Sequence, residues 1–271
     1  MMLDAERPIG IFDSGVGGLT VFREIRRALP EEDILYLGDT ARVPYGIRSA
    51  ETVQKYALAN TNFLRQQNIK LLVIACNTVS AVATHTLRET NHLPIIDVVQ
   101  PGARHAAAVT KNRCVGIIGT EATIQSGAYE QALHAIDQNI VVHTRACPLF
   151  VPLAEEGWCA EDDPIAIMIA HRYLEPLKTT AIDTLVLGCT HYPLLKQVIS
   201  TTIGTDIVLV DSAEETAREV VAVLDRCGLR RTSGHPGSEM FFVTDIPIKF
   251  VQTGSRFLGH EMKNVKLIDI M

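Results

Sequence analysis

The chain has 271 residues, 47% of them hydrophobic and 21% charged, with 25 Lys and Arg against 31 Asp and Glu. That size gives one large domain or two modest ones with a real core. The formal charge of −6, with basic residues only in isolated pairs such as Arg26-Arg27 and Arg230-Arg231, argues against nucleic acid as a partner.

No window approaches the roughly 18 apolar residues of a membrane span. The stretch 1–8 carries Asp4 and Glu6 and no apolar run, so it does not read as a signal peptide. A cytoplasmic protein is expected, with no membrane partner. Its six cysteines, at 76, 114, 147, 159, 189 and 227, should then be reduced. None forms a C-x-x-C pair. Cys189 and His191 stand close without a second ligand pair, so no metal is expected.

In chain order, the first apolar run is 9–12, followed by the glycine-rich turn Gly15-Val16-Gly17-Gly18. Its N–H groups at a helix start could bind an anion, or the glycines serve only a tight turn. Leu19, Phe22, Ile25 and Leu29 then recur at helical spacing, and Pro30 stops the helix. A strand is predicted at 34–37. Ser49 caps a helix running through Val53, Tyr56 and Phe63. Further strands are predicted at 71–75, 95–99, 115–118 and 140–143. Asp162, with Pro164 close behind, is read as the cap of a helix through Tyr173. The last predicted strands are 185–188 and 207–210. No motif is recognised after about His260. The runs are short, continuous and rich in Val, Ile and Leu, as in parallel strands covered on both faces. The rhythm predicts an α/β fold.

The chain also resembles itself. Leu72-Val73-Ile74-Ala75-Cys76-Asn77-Thr78 reads like Leu185-Val186-Leu187-Gly188-Cys189-Thr190-His191. Ile9-Gly10-Ile11-Phe12-Asp13-Ser14 likewise reads like Val115-Gly116-Ile117-Ile118-Gly119-Thr120. The expectation is two similar lobes, each a mainly parallel sheet flanked by helices, with the active site in the cleft between them. In such sheets ligands sit beyond the C-terminal strand ends, where both cysteines fall.

A single cysteine is commonly a small buried hydrophobe. Two cysteines in matched positions on facing lobes suggest racemisation. A proton leaves one face of a carbon while another arrives on the opposite face, so one sulfur is thiolate and the other thiol. Asp13 and His191 could each assist a cysteine; Asp39 and Glu155 are further ionisable groups near strand or loop ends, equally suited to caps or surface ion pairs. Ser14, Asn77, Thr78, Thr120 and Thr190 offer donors for a carboxylate. A disulfide-forming redox sensor and a non-catalytic amino-acid-binding module remain open alternatives on these residues.

Five segments carry a more specific resemblance: 12–18 (FDSGVGG), 38–46 (GDTARVPYG), 75–78 (ACNT), 150–155 (FVPLAE) and 187–193 (LGCTHYP). Together they resemble the glutamate racemases of the aspartate/glutamate racemase family, over nearly the whole chain. The resemblance implies interconversion of L- and D-glutamate without cofactor, feeding peptidoglycan synthesis. It implies Cys76 and Cys189 as the proton donor and acceptor, Cys76 acting on D-glutamate and Cys189 on L-glutamate. Asp13, Glu155 and His191 would support the thiols. Asp13, Ser14, Tyr45, Gly46, Asn77, Thr78, Thr120, Thr123, Thr190 and His191 would bind substrate. The implied layout is a first lobe of 1–98 plus 211–271 and a second of 99–210, in a homodimer. Some relatives carry a longer N-terminal extension linked to activation by a cell-wall precursor; here only residues 1–7 precede the first strand, and the resemblance does not carry that control over. A racemase of aspartate or another amino acid is the nearest alternative. A one-base decarboxylase or isomerase of the same superfamily would usually lack one of the cysteines.

Overall fold

The computed structural model describes residues 4–270, so the start of the 1–7 leader lies outside the described residues. The strands are β1 (Ile9–Asp13), β2 (Ile34–Gly38), β3 (Leu71–Ile74), β4 (Ile95–Asp97), β5 (Cys114–Gly119), β6 (Val141–Ala146), β7 (Thr184–Gly188), β8 (Val208–Asp211), β9 (Glu239–Val243) and β10 (Val265–Leu267). The helices are α1 (Leu19–Ala28), α2 (Ala50–Gln66), α3 (Asn77–Thr90), α4 (Val99–Val109), α5 (Glu121–Gln125), α6 (Ala128–Ile136), α7 (Phe150–Glu156), α8 (Pro164–Lys178), α9 (Lys196–Ile203), α10 (Ser212–Cys227) and α11 (Pro247–Leu258).

These strands form two sheets. One has six strands in the order β10-β9-β2-β1-β3-β4, the other four in the order β6-β5-β7-β8. Every pairing is parallel. Both faces of each sheet are covered, which is why the central strands carry unbroken apolar runs. On one side of the larger sheet, Ile9, Ile11 and Val73 pack with α1, α10 and α11; on the other, Phe12, Leu72 and Ile74 pack with α2 and α3. The smaller sheet is covered likewise, by α7, α8 and α9 on one face and by α4 and α6 on the other. Each fully buried Leu, Ile, Val or Phe contributes roughly 1.5–3 kcal/mol.

Local chemistry sets several boundaries. The Ser49 hydroxyl accepts the Thr52 N–H at 3.3 Å and starts α2 as expected. The cap of α8 is Asp163, not Asp162: Asp163 Oδ1 accepts from Ile165 N and Ala166 N at 2.9 Å, with Pro164 in the first turn. Strand β4 stops at Asp97 because Asp97 Oδ1 accepts from Val99 N and Gln100 N, turning the chain into α4. Two strands were not expected. β9 joins β2, and the edge strand β10 extends the larger sheet within the region after His260.

The chain passes from the larger sheet to the smaller through α4 and returns through α10. No helix among the described residues is long and apolar enough to cross a membrane.

Candidate active site

The C-terminal ends of β1, β3, β5 and β7 face one another across a cavity of about 350 Å³. Cys76, just beyond β3, and Cys189, just beyond β7, both line it, each 5% exposed. The two matched strand ends therefore bring their sulfurs to one space from different sheets.

The Cys189 side carries a chain of polar contacts. Cys189 Sγ lies 3.8 Å from His191 Nδ1, and His191 Nε2 lies 3.0 Å from Glu155 Oε1. Burial disfavours the charged imidazole, but the hydrogen bonds to Cys189 and Glu155 outweigh it and raise His191 to about 10. The hydrogen bond from His191 in turn lowers Glu155. Phe257 of α11 meets the His191 ring edge-to-face at 5.5 Å.

The Cys76 side differs. Its thiol donates to Ser14 Oγ at 3.7 Å. Burial, reinforced by the nearby Asp13 carboxylate, pushes Cys76 up to about 12. Asp13 is fully buried; its Oδ2 accepts from Gly15 N at 2.9 Å, while Oδ1 has no partner among the described residues. Burial raises this carboxyl, against the lowering influence of His191 and the backbone N–H groups. One sulfur thus sits beside an imidazole whose charged form is favoured and the other beside a buried acid, so their surroundings differ before any ligand enters.

The remaining polar lining comes from loops of both sheets. Ser14, Asn77 and Thr78 enter from one side, Thr120, Thr190 and Glu155 from the other. Thr78, Thr120 and Thr123 share a hydroxyl cluster with O···O distances of 3.0, 3.4 and 2.9 Å. Tyr45 and Gly46 lie in a short turn fixed from below. The Tyr45 hydroxyl donates to Asp39, which is also paired with Arg42 at 2.7 Å. Asp39 thus anchors this turn and does not line the cavity.

Of the residues expected from the sequence, Asp13 and Thr123 do not line the cavity. Asp13 lies beneath it and Thr123 behind Thr120 and Thr78. The others named for catalysis or binding all do. Pro148, Val151 and Pro152 add an apolar wall that was not singled out, although Val151 and Pro152 fall within the 150–155 segment. The glycine turn serves close approach. The N–H groups of Leu19 and Thr20 bond to Val16 and Gly17 carbonyls, and a Cβ on Gly18 would come within 2.5 Å of Asp13 Cβ.

The molecule is an α/β protein in which two parallel sheets each present a cysteine from a strand end to one cavity. The chain belongs to the Asp/Glu/Hydantoin racemase family, which matches residues 9–220. It is 54% identical over 264 residues to a glutamate racemase of Geobacter metallireducens, covering 97% of each chain. A solved glutamate racemase isoform from Bacillus anthracis superposes with a TM-score of 0.94 at 42% identity, covering 98% of each chain. The glutamate racemase of Francisella tularensis, solved in complex with D-glutamate, superposes with a TM-score of 0.92 at 38% identity, again covering 98% of each.

Proposed function

We propose that this protein is a glutamate racemase that moves the α-proton with two cysteines. The observation that carries the reading is the pair Cys76 and Cys189, which line one cavity from opposite sheets. Its relatives at high identity bear the same activity in their names.

Glutamate binds with its α-carbon between the two sulfurs. L-glutamate presents its α-hydrogen to Cys189, whose thiolate is held by the imidazolium of His191. Cys189 takes that proton, and Cys76, a thiol at neutral pH, delivers its own to the opposite face. The carbanion character at Cα is spread into the carboxylate, which faces donors such as Asn77 Nδ2 and the Thr78 region in a site with little water. D-glutamate then leaves, and the reverse reaction exchanges the two roles. Glu155 keeps His191 charged and oriented, while Asp13 exchanges a proton with the Cys76 side. Ser14, Tyr45, Gly46, Thr120, Thr190 and His191 complete the binding surface, with Thr123 supporting Thr120.

Both proton transfers are assigned to side chains, so neither pyridoxal phosphate nor a metal is required. We assign the first lobe to 1–98 plus 211–271 and the second to 99–210, a division that follows the two sheets except that β8 runs on to Asp211. We further propose a cytoplasmic homodimer whose product supplies peptidoglycan synthesis.

A chiral assay in D₂O with purified protein and no added cofactor tests the reading. Racemisation predicts deuterium at the α-carbon together with loss of optical activity. Binding of glutamate without exchange would make the protein a binding module. Faster turnover of aspartate than of glutamate would move the substrate assignment.

A further inference from the structure

Asn77 is the first residue of α3, directly after Cys76, and only 2% of it is exposed. Its carboxamide can be seated in two ways that exchange donor and acceptor. In this structure the Tyr129 hydroxyl donates to Asn77 Oδ1 at 2.6 Å, the seating in which the amide oxygen faces the phenol. Asn77 Nδ2 is left buried with no partner among the described residues, on a side chain that lines the cavity. A buried amide donor without an acceptor is costly unless something else satisfies it.

Tyr129 belongs to the other lobe. It lies on α6, which covers the smaller sheet, and it is 2% exposed. Its ring occupies a slot made by glycines. A Cβ on Gly188 would stand 3.1 Å from Tyr129 Cε2, and one on Gly102 would stand 3.5 Å from Tyr129 Cε1. Gly188 is the residue before Cys189. One phenol therefore touches the strand end that carries one cysteine and the helix start that follows the other.

We propose that Tyr129 is a positioning residue that holds the Asn77 amide with Nδ2 toward the cavity, ready for the α-carboxylate of the substrate. This rests on the assignment of Asn77 to the carboxylate above. Burial raises the phenol well above its ordinary range, so the hydroxyl keeps its proton. The hydrogen bond spans the cleft, so the amide is oriented only when the lobes are in register. Without the hydroxyl, the amide can turn its oxygen toward the carboxylate and repel it.

The test is a double-mutant cycle of Tyr129→Phe and Asn77→Ala, read by steady-state kinetics with both glutamate enantiomers. Tyr129→Phe keeps the ring in its slot. It should raise KM about tenfold for both enantiomers, the loss expected for a charge-assisted hydrogen bond, and change kcat far less. In the Asn77→Ala background the same substitution should add nothing, because its route of action is gone. An unchanged KM in Tyr129→Phe, beside a raised KM in Asn77→Ala, overturns the role of Tyr129 and leaves the carboxylate assignment standing. An unchanged KM in Asn77→Ala removes that assignment and this inference with it. Should Tyr129→Phe not fold, the wild-type protein still decides. NOEs from the Asn77 side-chain amide protons, identified by their loss in Asn77→Ala, should be weak to the Tyr129 ring, because Oδ1 and not Nδ2 faces the phenol. Strong NOEs between them would place the nitrogen against the hydroxyl and overturn the proposal.

Discussion

Gly17 and Thr190 lie on loops of different sheets, and a Cβ on Gly17 would stand 2.3 Å from Thr190 Oγ1 and 2.5 Å from His191 Nδ1. Thr20 Oγ1 reinforces the seam by donating to the Thr190 carbonyl at 3.0 Å. The absent side chain at position 17 thus lets the loop before α1 rest on the residues that follow Cys189. Gly17→Ala should push this seam apart at the point where the two sulfurs must share one carbon. A displacement on the order of 1 Å costs about 10²-fold when geometry carries the rate. The expected result is a loss of that size in kcat/KM with unfolding midpoints near wild type. Wild-type kinetics in this variant would mean that the seam does not set the distance between the cysteines.

The two cysteines are asymmetric, and their serine variants should show it. Cys76→Ser and Cys189→Ser should each lower racemisation by about 10²–10⁴-fold or more, the range of a lost acid–base group. Elimination from a β-chloro amino acid needs one base only: the α-proton goes to the sulfur and chloride leaves. Cys76→Ser should retain elimination from the L-analogue through Cys189. Cys189→Ser should retain it from the D-analogue through Cys76. Chloride release, measured separately for each enantiomer, checks this, and a shared preference in the two variants would contradict opposed bases.

The His191–Glu155 contact should govern the alkaline side of the pH profile. His191 stands at about 10 in the fold against about 6.5 for a free imidazole. Because the fold binds this proton more tightly than the unfolded chain does, the associated stability is complete below about pH 6.5 and is lost as pH climbs toward about 10. Glu155→Gln removes one of the groups that hold the proton. The alkaline limb of log kcat/KM, expected near pH 10 in the wild type, should move to lower pH. The wild-type Tm should also fall more between pH 7 and pH 10 than that of the variant. Superimposable profiles would show that Glu155 does not hold the imidazolium.

Far from the cleft, Lys70 is 0% exposed and Glu32 1% exposed, and their side chains form an ion pair. Lys70 also donates to the Ala5 carbonyl, and Glu32 accepts from Arg231 N at 2.8 Å. Glu32→Ala would leave an ammonium buried without its partner, at a cost of about 3–5 kcal/mol. Urea unfolding should report that loss, while kcat of the folded fraction should stay close to wild type. A loss below about 1 kcal/mol would show that water or another group takes the place of the carboxylate.

Much of the scaffold could be read from the chain because its central strands are covered on both faces, which forces unbroken apolar runs such as those of β1 and β7. β10 escaped because it is an edge strand of three residues that includes Lys266, and Leu267 is 61% exposed. β9 follows the polar, glycine- and proline-containing stretch after Leu229 and begins with Glu239, so its buried part is only Phe241, Phe242 and Val243. The cysteines were legible because each closes an apolar run with polar neighbours. Tyr129 was not, because its partner Asn77 is 52 residues away and only the meeting of two lobes brings them together. For the same reason Gly17 reads as a turn residue until Thr190 is placed against it.

The passage out through α4 and back through α10 makes the smaller sheet an insertion within the larger one. During synthesis from the N-terminus, all four strands of the inserted sheet are available by Asp211, while its host still lacks β9 and β10. The outer edge of β2 therefore stays bare until nearly the whole polypeptide has left the ribosome. Shortening the C-terminus would take strands from the host sheet, the one that bears Asp13 and Cys76, and would leave the Cys189 half with its full set of strands but, once α11 is lost, without Phe257 against His191.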